Sequence, residues 1–345
     1  MRVLLTGSAG FIGCAIDRAL VAAGHEVVRV DVMLSTAHAD PVPDAGTHVL
    51  DVREAGSWCR LMEGVDVLCH QAALVGAGTT VADLPLYAAH NDLGTAAVLA
   101  AATAAGVDRL VLASSMVVYG EGAYECVAHG PVVPSARSPQ ALAAGDFEAR
   151  CPCCDGLLAS LEVREDAPLA PRSAYAASKV AQEHYALAWA RQAGVAVTAL
   201  RYHNVYGPGM PRDTPYSGVA AMFRSSLERG ESPQVFEDGR QRRDFVHVDD
   251  VARANVLAVE AVAASEPGTF RPFNVASGRP ITIAEVAILL AQNSSLAPSV
   301  TGEHRLGDVR HIVASPARAA VELGFRAAVS PEQGLPAFAT APLRG

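Results

Sequence analysis

The chain has 345 residues, half of them hydrophobic and 18% charged, which suits one large domain or two interlocked lobes and excludes a disordered polymer. Its net charge of −9, from 27 basic and 36 acidic residues, opposes nonspecific nucleic-acid binding, although arginines gathered locally still suit a small anion. No apolar run is long enough to cross a bilayer, and the glycine-interrupted start followed by Asp17-Arg18 does not read as a signal peptide, so a cytoplasmic, reducing setting without membrane attachment is expected.

"RVLLT" (2–6) is a short apolar run that ends in a glycine-rich turn. "FIGCAIDRALVAAG" then has helical periodicity up to Gly24, and "EVVRVD" (26–31) is a second buried strand. This is a βαβ unit with Gly7, Gly10 and Gly13 in its first turn, where glycine lets the backbone approach a pyrophosphate at a helix N-terminus. Asp31 closes the second strand, where a carboxylate accepts both hydroxyls of an adenine ribose and repels a 2′-phosphate. NAD is therefore expected over NADP. Further βα units follow at "HVLDVRE", "VDVLCHQAA" (65–73) and "VDRLVLASS" (107–115), with the alanine-rich 96–106 as a helix packed closely on the sheet. Strand-end placement puts Asp51 and Val52 near the adenine and Ala72 and Ala73 beside the cofactor, although each also suits an ordinary strand end.

Residues 121–164 contain few branched apolar residues and several Pro and Gly, so they cannot build much core alone. Two pairs stand out there, Cys126-x-x-His129 and Cys151-x-x-Cys154. Each spacing lets a tight turn present two ligands, and three thiolates with one imidazole make a closed tetrahedral set for a structural zinc. Thiols without a ligand remain the alternative, and Cys153 is a possible substitute for Cys151 or Cys154. A redox pair would need its own βαβ setting, which is absent, and a disulfide does not suit the expected compartment. Cys14, Cys59 and Cys69 read as small core residues.

"SAYAASKVAQEHYALAWARQAG" (173–194) is a long helix with Tyr175 and Lys179 four apart on one face, a spacing that alone suits an ordinary surface pair and gains weight from the βαβ units and the Ser-ended strand before it. An ammonium beside a phenol is expected to lower the Tyr pKa toward a range useful for proton transfer. Ser115, ending the fifth strand, is placed to donate to the same substrate oxygen.

The motifs "TGSAGFIG" (6–13), "ASSMVVYG" (113–120), "YAASK" (175–179), "RYHNVYGPG" (201–209) and "RRDFVHVDD" (242–250) run in one order across most of the chain. Jointly they resemble the extended short-chain dehydrogenase/reductases of the sugar-nucleotide epimerase/dehydratase group. The resemblance implies an α/β fold: a Rossmann-type doubly wound parallel sheet with a smaller C-terminal substrate-binding lobe. It divides the chain into an NAD-binding domain (1–120 and 165–203), an inserted Cys/His segment (121–164) and a mainly substrate-binding lobe (204–345), with part of 245–275 returning to the first domain. It implies a homodimer and a tightly bound NAD+. By the same resemblance, Tyr175 is the catalytic acid/base, Lys179 its partner on the nicotinamide ribose, and Ser115 the hydroxyl beside the sugar O4. Cofactor contacts are expected from Gly7, Gly10, Phe11, Ile12, Gly13, Asp31, Asp51, Val52, Ala72, Ala73, Asn91, Tyr175, Lys179 and Tyr202. Substrate contacts are expected from Ser115, Met116, Tyr175, Asn204, Val219, Gln234, Phe236, Arg243 and Arg305. Asn204, Arg243 and Arg305 would hold the diphosphate, while Gln234 and Phe236 would lie near the base. The arginines at 240, 242, 243 and 305 supply the positive charge that a diphosphate requires, although solvated surface charge is the alternative reading, strongest for Arg240 and Arg242.

Members of this group epimerise, dehydrate, decarboxylate or reduce. Those that eliminate water resemble one another in placing Asp-Glu after the catalytic hydroxyl residue, where this chain has Met116 and Val117, so 4-epimerisation is the expected reaction. "HQAALVGAG" (70–78), "LASSMVVYGEG" and "RYHNVYGPGMPRDTPYSGVA" (201–220) resemble a bacterial subgroup associated with dTDP-L-rhamnose 4-epimerase activity, which implies a dTDP-6-deoxyhexose. A UDP-hexose or UDP-glucuronate epimerase, a 4-ketoreductase and a non-catalytic NAD-sensing scaffold are the alternatives. The insertion's position after the Ser115 strand suggests that it borders the cleft as a lid or an oligomer contact.

Overall fold

A computed structural model of the chain describes residues 1–34, 43–76, 80–212 and 218–344. The sequence stretches 70–78 and 201–220 therefore lie partly outside the described residues, at 77–78 and 213–217. In chain order the strands are β1 (Arg2–Thr6), β2 (Glu26–Asp31), β3 (Thr47–Val49), β4 (Val67–His70), β5 (Arg109–Ser115), β6 (Ala123–Cys126), β7 (Gly130–Val132), β8 (Ala159–Val163), β9 (Ala196–Tyr202), β10 (Asn204–Tyr206), β11 (Gln234–Val235), β12 (Arg242–His247), β13 (Phe270–Val275), β14 (Pro280–Thr282), β15 (Ser299–Val300) and β16 (His311–Ala314).

Seven of them form a parallel sheet in the order β13-β9-β5-β4-β1-β2-β3. Its central strands are apolar almost without alternation, because helices cover both faces. Phe11–Ala22 and Val248–Ala263 pack on one face, and Gly94–Ala104 and Ala174–Ala193 on the other. The chain reverses its direction of winding between β1 and β4, and a crevice opens at the carboxyl ends there. Register aligns those ends: Thr6 sits opposite Val30 and His70, and Ser115 opposite Tyr202. The fold is thus an α/β Rossmann-like sheet, and its chemistry-bearing residues share one edge.

The second sheet has the order β10-β12-β16-β8-β6-β7, with β14 pairing β12. The segment 121–164 is therefore more than a stapled loop, since three of its strands extend a sheet begun by residues beyond 204. The joint is β8 on β16, with Glu162 opposite Val313 and Val163 opposite Ala314. Its own apolar cluster is small, as the composition implies: Tyr124, Cys126, Ala149, Cys151 and Leu158, flanked by Val132. Among the described residues no helix is long and apolar enough to cross a membrane.

Candidate active site

The first turn shows why it is built from glycine. Gly7 adopts φ +69°, and a Cβ there would sit 2.8 Å from the Ala72 nitrogen. A Cβ on Gly13 would lie 1.9 Å from the Gly7 carbonyl oxygen, so the helix packs directly on the turn. Asp31 accepts the Ala9 amide at 3.0 Å and the Met33 amide at 2.8 Å, which fixes its carboxylate at the end of β2.

The Ala174–Ala193 helix begins at Ser173, whose hydroxyl accepts the Ala176 amide at 3.1 Å, and ends at left-handed Gly194. Tyr175, Lys179 and Glu183 follow one another at four-residue spacing on the face turned to β5. Lys179 Nζ donates to the Ala113 carbonyl at 3.0 Å and lies 5.9 Å from the Tyr175 ring centroid. The Ser115 side chain acts on the Tyr175 phenol, and Ser115 Oγ accepts the Val117 amide at 3.4 Å. The three expected catalytic residues are therefore together.

Their electrostatics differ from the expectation. Burial pushes the Tyr175 phenol above its ordinary value, against the Ser115 hydrogen bond and with Tyr87 adding to the rise. Burial also pushes Lys179 down to about 7, against the pull of Glu183. Burial therefore dominates both groups in this state, and the expected lowering of the tyrosine is not seen. Beneath the pair lies a buried ionic layer that sequence reasoning missed. Glu183 accepts Arg201 Nε at 2.9 Å, Arg201 Nη2 at 2.7 Å and Ser114 Oγ at 2.5 Å. The third member of the 175-179-183 series was the signal for it. His70, held between Thr6 Oγ1 at 2.7 Å and Thr95 Oγ1 at 3.1 Å, is pushed down to about 3 by burial and then by Lys179, so it is neutral.

These residues open onto a cleft of about 670 Å³, within the range usual for small-molecule sites. Gly7, Gly10, Phe11, Ile12, Gly13, Asp31, Asp51, Val52, Ala72, Ala73, Lys179 and Tyr202 line it, as do Ser115, Met116, Tyr175, Asn204 and Arg243. Asp51 is tied to Arg53 through Nε at 2.9 Å and Nη2 at 2.6 Å, and these bonds overcome burial to hold its carboxyl below the ordinary range. Asn204 Oδ1 is buried without a hydrogen-bond partner, a place for a ligand donor. Arg243 donates to the Arg310 carbonyl at 3.0 Å and the Val309 carbonyl at 2.5 Å, and Asp308, Val309 and Ile312 line the wall beside it. His203 also lines the cleft, neutral because burial first of all pushes it down to about 3.

Five expected contacts do not line the cleft. Asn91 is fully buried, accepting the Leu74 amide at 2.7 Å and donating to the Leu74 carbonyl at 2.9 Å, so it braces the 72–74 wall from behind. Val219 gives way to its neighbour Gly218. Gln234 sits on β11, paired with β15, and Phe236 is covered by the Arg305 guanidinium 5.0 Å from its ring centroid. That stacking engages Phe236 and Arg305 with each other. No residue of 121–164 lines it either, so the expected lid is not the arrangement seen.

Away from the cleft, one ligand atom from each of Cys126, His129, Cys151 and Cys154 lies within 4.8 Å of the others. Cys153 is exposed and outside the set, Cys69 is core, and Cys14 and Cys59 are half-buried.

The model of the NAD dependent epimerase/dehydratase family matches residues 3–141 and 156–276. Among curated proteins, the chain is 33% identical to a dTDP-L-rhamnose 4-epimerase of Burkholderia thailandensis, over 97% of this chain and 93% of that one. Among solved structures, it is similar to the UDP-glucose 4-epimerase of Thermotoga maritima with UDP-glucose (TM-score 0.78, 28% identity, 98% and 97% of the two chains). It is also similar to MoeE5 in complex with UDP-glucuronic acid and NAD (TM-score 0.75, 30% identity, 97% and 96%).

Proposed function

The chain belongs to the NAD dependent epimerase/dehydratase family and is an NAD-dependent sugar-nucleotide epimerase; we propose that it inverts C4 of a dTDP-6-deoxyhexose such as dTDP-L-rhamnose. The observation that carries the reaction is the convergence of Ser115, Tyr175 and Lys179 at the strand ends, with Met116 and Val117 beside them in the cleft. Neither Met116 nor Val117 can transfer a proton, which favours epimerisation over loss of water.

The residues present fit NAD. The turn of Gly7 and Gly13 leaves no room for a Cβ, and Asp31 stands where an adenine ribose would present its hydroxyls. NAD+, when bound, supplies the hydride acceptor and donor for C4 and a positive charge. That charge favours the phenolate, and Tyr175 ionised in this way would take the O4 proton of the sugar and return it to the inverted alcohol, while Ser115 donates to the same oxygen. Lys179, pushed by burial well below the ordinary lysine value, stands beside the phenol with its Nζ 5.9 Å from the ring centroid. Arg243 and the unpartnered Asn204 Oδ1 face the diphosphate end.

The sugar rests on the rhamnose epimerase likeness and on the apolar Met116-Val117 pair, which suits a 6-deoxy carbon. A UDP-hexose or UDP-glucuronate substrate is the second reading, favoured by the likeness to the two solved structures. The deciding experiment is incubation with a panel of dTDP- and UDP-sugars without added reductant, followed by product analysis. C4 inversion of a dTDP-6-deoxyhexose is expected. Inversion of UDP-sugars alone would move the assignment to the second reading, and stoichiometric consumption of NADH with a keto sugar would make the protein a reductase.

A further inference from the structure

The inserted segment closes two turns on one point. Cys126 ends β6, and the His129 amide donates to the Cys126 carbonyl at 3.3 Å in the turn before Gly130. In the second turn the Cys151 amide donates to the Gly156 carbonyl at 2.9 Å, and the Asp155 amide to the Cys151 carbonyl at 2.9 Å. The Cys153 amide donates to Cys151 Sγ at 3.4 Å, a bond that supports a thiolate there.

The four ligand atoms have the edges of a metal tetrahedron. Metal–sulfur bonds of about 2.3 Å and metal–nitrogen bonds of about 2.0 Å imply S···S edges near ~3.8 Å and S···N edges near ~3.5 Å. The chain shows 3.7 Å between the Cys126 and Cys154 sulfurs, and 3.4 and 3.6 Å from His129 Nδ1 to the Cys126 and Cys151 sulfurs. A disulfide would bring two sulfurs to about 2.05 Å and leave the imidazole without a reason to face both.

We propose that Cys126, His129, Cys151 and Cys154 bind one structural zinc ion, and that this site fixes the segment that buttresses the substrate wall of the cleft. Three thiolates and an imidazole select zinc among common divalent ions, and four protein ligands leave no open position for catalysis. The ion closes the loop from His129 to Cys151. That loop carries Arg137 and Glu148, which grip the cleft wall from outside. Arg137 donates to Glu237 Oε1 at 2.7 Å and to the Asp308 carbonyl at 2.5 Å. Glu148 accepts from Arg310 Nη2 at 2.5 Å and meets His311 Nε2 at 3.1 Å. Asp308, Val309 and Ile312 line the cleft on the other side of the same strip. The family model breaks off at 141 and resumes at 156, so three of the four cysteines of this segment fall in the gap and the device is additional to the shared fold.

The test begins with the full chain purified in chelator-free, metal-controlled buffer. One zinc per chain by elemental analysis, released when a mercurial blocks the thiols, is expected. Cobalt in its place should give the thiolate charge-transfer and intense visible bands of a tetrahedral site. Cys126→Ser should abolish binding and Cys153→Ser should retain it. Zinc well below one per chain, with no uptake when the reduced protein is supplied with Zn2+, would overturn the site, as would a Cys153→Ser variant that loses it. The buttress is tested separately by Arg137→Ala, which leaves the ligands intact. It should keep its zinc and its NAD while raising KM for the nucleotide sugar, or Kd for the free nucleoside diphosphate, by about three- to tenfold, the scale of one lost charge-assisted hydrogen bond. Unchanged substrate affinity in that variant would overturn the buttress. Metal content and the cobalt spectrum do not depend on the sugar, so a wrong substrate assignment leaves them readable.

Discussion

The cofactor end of the cleft and the inserted segment solve the same problem, holding backbone in place, by opposite means. At the cofactor end, strands buried on both faces and glycines without room for a Cβ fix the turn by packing. The insertion has five buried residues in its cluster and relies on strand pairing to β16, buried ion pairs and four converging ligand atoms. A large core makes precise backbone from apolar residues; a segment too small for a core needs polar contacts of high directionality.

The largest effect expected separates chemistry from that scaffolding. Tyr175→Phe should lower kcat by about 10²- to 10⁴-fold, the usual contribution of a positioned acid/base, while bound NAD stays at its wild-type level. Turnover at the wild-type rate would remove Tyr175 from the proton path. Next in size is the ionic layer beneath it. Glu183→Gln removes the partner of Arg201, whose side chain is 4% exposed, and should cost about 3–5 kcal/mol in urea denaturation of the cofactor-free protein. A loss below about 1 kcal/mol would mean that the Tyr119 hydroxyl and the Glu165 carbonyl, which Arg201 also reaches, suffice to hold it.

The same contrast explains what the sequence made legible. The glycine turn, Asp31 and the 175-179 pair are local patterns visible in the spacing, and the resemblance gave the pair its role; all of them line the cleft. Asp308, Val309 and Ile312 enter the cleft because β16 pairs with both β12 and β8, a long-range choice that no local pattern announces. Gln234, Phe236 and Arg305 were placed by resemblance, since no local pattern announces the β11–β15 pairing or the stacking of Arg305 on Phe236. Arg310, fully buried among Glu148, Glu237 and Asp238, carried no signal in the sequence because only tertiary structure supplies its three carboxylates. The Cys/His pairs were legible for the opposite reason, since tight turns fix their geometry within four residues.

A smaller effect reads the cofactor end through pH. Lys179 is buried with its folded value near 7, below its unfolded value, so the unfolded chain binds more protons between those two points. Stability from this group is lowest below about 7 and recovers as pH rises toward the ordinary lysine range. Lys179→Met should therefore stabilise the cofactor-free protein near pH 7, and its advantage should narrow by about 1.4 kcal/mol per pH unit between about 7 and 10. A gap independent of pH would place the lysine in a more hydrated site than the structure gives it.

The smallest effect belongs to the insertion and asks what holds it. Glu148 is pushed down to about 2, first by its hydrogen bond to His311 and further by Arg310, against burial. Its side chain is nevertheless 37% exposed, so solvent screens the pair and the shift does not translate fully into stability. Glu148→Gln keeps the shape and removes the charge, while Arg310 retains Glu237 and Asp238. The cost at neutral pH should be about 1 kcal/mol or less. Because the folded value lies below the unfolded one, that difference is present above the ordinary carboxylate range and fades as pH falls through it toward 2. A loss above about 3 kcal/mol would mean that the ion pair carries the attachment of the insertion. A small loss leaves that task to the strand pairing, to Arg137 and to the proposed metal site.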